Sequence, residues 1–102
     1  MSEKQASAYD LIESERIRQI RKWGGEAHDD AHEHGHWLQF MARQQGHLAE
    51  AMTAFDFDTP VDSEALYAAY DRCIHEAVQN AAVLVAYIQS CQRDVDKLRH
   101  GG

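Results

Sequence analysis

Residues 59–98 read TPVDSEALYAAYDRCIHEAVQNAAVLVAYIQSCQRDVDKL, with no glycine and no proline after Pro60. Leu66, Tyr70, Cys73, Ala77, Ala81, Leu84, Ile88, Cys91, Val95 and Leu98 recur at steps of three and four, the spacing that aligns side chains along one helix face. Ile74, Val78, Ala82 and Val85 form a second stripe beside the first. A helix apolar on two faces must be buried on two sides, and the alanines between positions 77 and 86 let a neighbouring backbone approach closely. Thr59, Pro60 and Asp62 supply an N-cap, a first-turn proline and an acid at the third position, which together predict a helix start.

Working outward from this segment, Gly24, Gly25, Gly35 and the Thr59-Pro60 pair divide the rest of the chain. Residues 6–23 carry Tyr9, Ile12, Ile20 and Trp23 with charges between them, a moderate amphipathic pattern that Gly24 should stop. Residues 37–54 carry Trp37, Met41, Leu48, Met52 and, just beyond, Phe55 at helical steps, with Gln45 interrupting the stripe. The layout is all-α: a three-to-four-helix bundle in a single domain spanning residues 1–102. A chain of 102 residues buries only about two-thirds of its unfolded surface, so a second copy would complete the core, and a homodimer through the second and third helices is expected.

The net charge of −7 argues against general nucleic-acid binding, which needs clustered Lys and Arg. One local exception is Arg16, Arg18, Arg21 and Lys22. These residues, Arg18 and Lys22 among them, either meet a small phosphate ligand or form a solvated basic face relieved by Glu13 and Glu15. No apolar run approaches the roughly 18 residues of a membrane span, and the start of the chain lacks a secretory apolar core. A soluble, cytoplasmic protein is therefore expected. Cys73 and Cys91 are 18 positions apart, about 27 Å along one helix, too far to pair within the chain.

The chemistry-bearing residues lie along the edges of the long helices. Arg43, Gln44 and His47 are offset from the Met41, Leu48 and Met52 stripe, with Gly46 giving room beside them, and Glu76 and Gln79 share a face of the long helix. Antiparallel packing would set these two polar edges along one cleft. Trp23 and Trp37 flank the intervening loop, where they either stack a planar ligand or close the core.

ERIRQIRKWG at 15–24, the AHDD at 27–30, WLQFMARQQGHLAEAM at 37–52 and HEAVQNAAVLVAYIQ at 75–89 together resemble the MazG-like branch of the all-α nucleoside triphosphate pyrophosphohydrolases, over residues 13–92. The resemblance implies a helical bundle, dimeric or larger, that hydrolyses nucleoside triphosphates to monophosphate and pyrophosphate with Mg²⁺. The acids of that family follow EExxE on one helix and ExxD on the next. Those positions fall here on Arg43, Gln44 and His47, then on Glu76 and Gln79, so a single acid remains. Mg²⁺ takes hard oxygen ligands in octahedral geometry, and an arginine in the pocket repels it.

Three functions are compatible with this pattern. A degenerate relative binds nucleotides or phosphates directly, Arg43 replacing part of the metal's charge by forked hydrogen bonds. An altered hydrolase builds a site for a softer transition metal from His47, Glu76 and Glu50 or Asp71, with Glu76 as the catalytic acid. An interaction module uses the acidic surface or the groove to engage a protein partner.

HDDAHEHGH at 28–36 adds four of the seven histidines and three acids. If helical, His28, His32 and His36 align at steps of four and, with Asp29 or Glu33, could hold Zn²⁺ or Ni²⁺. Gly35 opposes a regular helix, and Asp30 with Glu33 fits a capping box for a helix starting near Ala31, so a surface turn is the simpler expectation. The resemblance places His28 and Asp29 on the approach to the substrate cleft, ahead of His32 and His34.

Overall fold

The structure is a computed structural model that describes residues 6–57 and 62–101. It contains four helices: α1 (Ala8–Trp23), α2 (Glu26–Asp30), α3 (His34–Phe57) and α4 (Ser63–His100). Among the described residues there is no strand, and no helix is long and apolar enough to cross a membrane.

Local chemistry accounts for most of the helix ends. Ser7 caps α1 by accepting the Asp10 N–H at 3.1 Å. Gly24, at φ 103°, stops that helix, and its amide returns to the Ile20 carbonyl. The cap of α4 is Asp62, whose carboxylate accepts the Ala65 N–H at 2.8 Å. Asp62 was expected three positions further into the helix; the Thr59 and Pro60 signals lie outside the described residues.

The second long helix begins three residues earlier than its apolar stripe suggests, at His34, and Gly35 sits inside its first turn. A glycine costs little there, because first-turn N–H groups have no intrahelical partner to protect. Glu33 precedes the helix, and its N–H donates to His36 Nδ1 at 3.3 Å. The expected capping box between Asp30 and Glu33 does not form, since the Asp30 carboxylate points to α4. Residues 28–30 belong to α2 instead of a surface turn.

α4 is the common spine: α3 packs on it most extensively, then α1, then α2. Ala82 and Ala86 are buried, as the alanine run predicts, and with Trp37 and Ala51 they make up the buried apolar core of the described residues. Asn80 of α4 donates to Gln45 Oε1 at 2.7 Å, which explains the polar interruption of the α3 stripe. Phe55 and Tyr70 close the far end of the α3–α4 contact, their ring centroids 4.8 Å apart.

The outline is open. The radius of gyration is 17.0 Å, against about 13 Å for a compact domain of this length. α1 turns Glu15 and Gln19 inward and leaves Leu11, Ile17 and Ile20 outside.

Candidate functional site

α1 and α3 approach α4 from different sides, and a cavity of about 270 Å³ lies between them. Its floor is Val83 and Ala86 of α4. α1 contributes Arg16, Gln19 and Trp23 at helical steps, and the reversal at Gly24 brings His28 and Asp29 of α2 against them. α3 contributes Trp37, Phe40 and Gln44 along one face, with Arg43 beside them. The lining thus joins three aromatic side chains, Trp23, Trp37 and Phe40, to seven polar ones.

Arg16 Nη2 donates to Asp29 Oδ2 at 2.5 Å, with only 11% and 7% of the two side chains exposed. A buried ion pair of this kind cancels its own charge, and losing either member would strand the other. Asp29 also lies 3.5 Å from His28 Nδ1. His32 fills the corner between α2 and α3, its ring edge-on to His28 at 4.6 Å, Phe40 at 5.1 Å, Trp37 at 5.5 Å and His36 at 5.8 Å. Burial, reinforced by the neighbouring His28 and His36, pushes the His32 imidazole below its usual pKa, so the neutral ring is favoured.

Three polar atoms on residues of this cavity are buried with no hydrogen-bond partner: Arg16 Nε, His32 Nε2 and Gln44 Oε1. Buried polar groups in proteins are normally satisfied, and these three lie on residues that line the cavity. Arg43, at the exposed rim, makes no ion pair among the described residues.

Of the residues expected to bind an anion, the structure brings together Arg43, Gln44 and His28. It places the others elsewhere. Arg18 is held by Glu15 through a forked pair of hydrogen bonds at 2.6 and 2.7 Å, and that pairing lowers the Glu15 pKa. Lys22 lies over the Trp23 ring, 4.9 Å from its centroid. His47 and Glu50 are exposed on α3, and Gln79 and Glu76 are half-buried on α4, none of the four lining the cavity. Glu76 Oε2 is nevertheless buried without a partner. Gly46 faces open space, a Cβ added there meeting nothing within 4 Å.

Among the described residues no three His, Cys, Asp or Glu side chains converge as metal ligands. His28, His32 and His36 do align as the helical spacing suggests, but ring against ring. His34 leaves the row to meet the Tyr87 hydroxyl at 2.9 Å.

Behind the cavity a second network ties α2 to α4. Asp30 accepts from Ser90 Oγ at 2.8 Å and from Arg93 Nη2 at 2.8 Å, and these bonds hold its carboxyl down at about 2.

Gln19 and His32 were not singled out by sequence as cavity residues, whereas Arg16 stood in the group read either as a phosphate contact or as a solvated basic face, and Asp29 was placed by the resemblance on the approach to the cleft. Compared with models of known families, with curated proteins and with solved structures, the chain matches none of them.

Proposed function

We propose that the chain is a degenerate MazG-like protein that binds a nucleotide in the α1–α3 cavity, with weak or no Mg²⁺-dependent hydrolysis. The observation that carries this reading is the cavity itself: aromatic walls from Trp23, Trp37 and Phe40, with Arg43 uncompensated at the rim. A planar base stacks against such walls, and a guanidinium without an internal partner forms charge-assisted bonds to phosphate. The volume, about 270 Å³, is just below the usual range for small-molecule pockets, which suits a base and sugar enclosed with the phosphates outside, near Arg43.

The donor set does not suit Mg²⁺. Arg43, Gln44 and His47 stand at three of the five family positions, and none of these side chains offers the anionic oxygen that a hard ion needs. No step of the proposed function runs through a metal.

Titration calorimetry of the full chain with nucleoside mono-, di- and triphosphates, each with and without Mg²⁺, tests the proposal. Binding that needs no Mg²⁺ and weakens at least about tenfold in Arg43→Ala is expected, the loss of one charged hydrogen bond being about 1.5–3 kcal/mol. Absence of binding to every nucleotide overturns it.

One observation favours a second reading, an altered hydrolase: the buried, unpartnered Oε2 of Glu76. Pyrophosphate release assayed with Mg²⁺, Mn²⁺, Co²⁺ and Zn²⁺ decides it, and turnover abolished by Glu76→Gln would place that reading first. Both readings include assembly of two copies, which the open outline and small core support.

A further inference from the structure

We propose that the start of α3 is a proton-operated latch: neutral His32 and His36 hold the link at 31–33 closed over the α2 corner of the cavity, and protonating them swings His32 out of the cavity wall. The latch is independent of which ligand the cavity takes.

His36 supplies the first half. Glu33 stands at the N-cap of α3, its carbonyl accepting the Trp37 N–H at 3.2 Å, and its own N–H donates to His36 Nδ1 at 3.3 Å. His36 thereby fills the third helical position, where a capping box places Glu or Gln to accept the same amide. That bond needs a lone pair on Nδ1, and an imidazolium has none. The first turn of α3 contains no acid, so a cation at His36 also opposes the helix dipole. Glu33, the acid just ahead of that turn, is exposed, where water and salt screen its charge.

His32 supplies the second half. It lines the cavity beside His28 and meets Trp37 and Phe40 edge-on. Its Nε2 is buried without a partner, so a charged ring would hold an N–H there with no acceptor. His28 and His36 touch the ring on either side, and imidazoles that charge together repel one another. Asp29 acts the other way, but Arg16 of α1 already pairs it. Arg43 of α3 adds positive charge at the rim, and Tyr87 of α4 meets Trp37 and His34 instead of His32.

The neighbouring helices keep their anchors when the row is charged. α2 stays tied to α1 through Arg16 and Asp29, and to α4 through Asp30 with Ser90 and Arg93. His34 Nδ1 lies 2.9 Å from the Tyr87 hydroxyl, which can donate to a neutral ring or accept from a charged one. The part free to move is therefore the link with the His32 ring. Burial first, then His28 and His36, holds His32 below its usual 6.5 in the closed link, while a released ring takes the ordinary value. The closed form is thus favoured above about 6.5 and gives way as pH falls below it. Each proton taken up on opening raises the open fraction by up to about tenfold per pH unit.

Amide hydrogen exchange of the full chain, followed by NMR at pH about 7.5 and about 5 and corrected for the intrinsic rate at each pH, tests the latch. The Glu33, His36 and Trp37 amides should lose at least about tenfold in protection at the lower pH, while Ala82 and Ala86 of α4 keep theirs. His32→Phe with His36→Gln retains a ring in the corner and an acceptor at the cap without a titrating proton, and should show no such loss. His36→Gln alone should lose protection less steeply than the wild type. Unchanged protection in the wild type overturns the latch, and equal loss along α4 overturns a local release. The same loss in the double variant overturns the histidines as the sensor, and a wild-type slope in His36→Gln overturns the capping role of His36. No ligand enters the measurement, so it can fail or succeed separately from the nucleotide titration.

Discussion

Replacing Asp30 by Asn keeps the shape of the side chain and removes the charge that Arg93 and Ser90 hold between α2 and α4. The size of the effect follows from the carboxyl's position: about 2 in the fold against an ordinary 3.8. At 1.36 kcal/mol per unit, that difference sets an upper bound of roughly 2.5 kcal/mol. Both Asp30 and Arg93 are 22% exposed at the side chain, so solvent screening leaves about 1–2 kcal/mol. The sign is fixed by the direction of the shift. A carboxyl lowered in the fold contributes its full stabilisation above its unfolded pKa, and loses it as pH falls from about 4 through about 2. Urea unfolding followed by circular dichroism should therefore show Asp30→Asn less stable than wild type by about 1–2 kcal/mol at pH near 6. The gap should close as the pH is taken toward 2. Arg93→Met should cost a similar amount, and the double variant should lose less than the sum of the two single losses. Two stability curves that stay parallel down to low pH would refute the argument, because the gap would then owe nothing to the charge on Asp30.

Other expectations follow from the cavity and its turn. Gly24→Ala should destabilise by about 1–3 kcal/mol in thermal unfolding, since φ 103° with ψ 177° is a glycine region and the added Cβ would stand 3.2 Å from His28 Cβ. Arg16→Met should cost about 3–5 kcal/mol by stranding the Asp29 carboxylate, and Arg16→Met with Asp29→Asn should recover part of that loss; if the double variant is no better than the single, the pair is not the cause. NMR titration of the imidazoles should find His32 protonating below the ordinary 6.5. Because its folded pKa is lowered, its contribution is present above the unfolded value and declines as pH falls below it. A His32 midpoint at or above 6.5 would contradict its placement among His28, Trp37 and Phe40.

Some of this was legible in the chain and some was not, for identifiable reasons. α4 could be read because its apolar period persists for its whole length without a breaker, so even a misplaced cap at Asp62 shifts only its first turn. The start of α3 was read late because a first-turn glycine is a breaker by composition and not by geometry. Arg43, Gln44 and His28 stood out through resemblance and chemistry, whereas the Arg16–Asp29 pair joins positions 13 residues apart across the turn at Gly24. No local spacing rule reports such a pair.

The deeper obstacle lies in α1. A pattern of apolar and polar residues is ordinarily read with the apolar face inward, yet α1 buries Glu15 and Gln19 and leaves Leu11, Ile17 and Ile20 exposed. Glu15 tolerates the inward position because Arg18 and Gln19 bond its two oxygens. Among the described residues the apolar side of α1 has no such compensation, and neither does the row of Leu84, Ile88 and Val95 on α4. Apolar rows thus stay uncovered on two helices, around a core whose buried apolar residues, among those described, are Trp37 and three alanines. The α1–α3 cavity lies on the packed side of α4, where Val83 and the buried Ala86 form its floor, away from that exposed row.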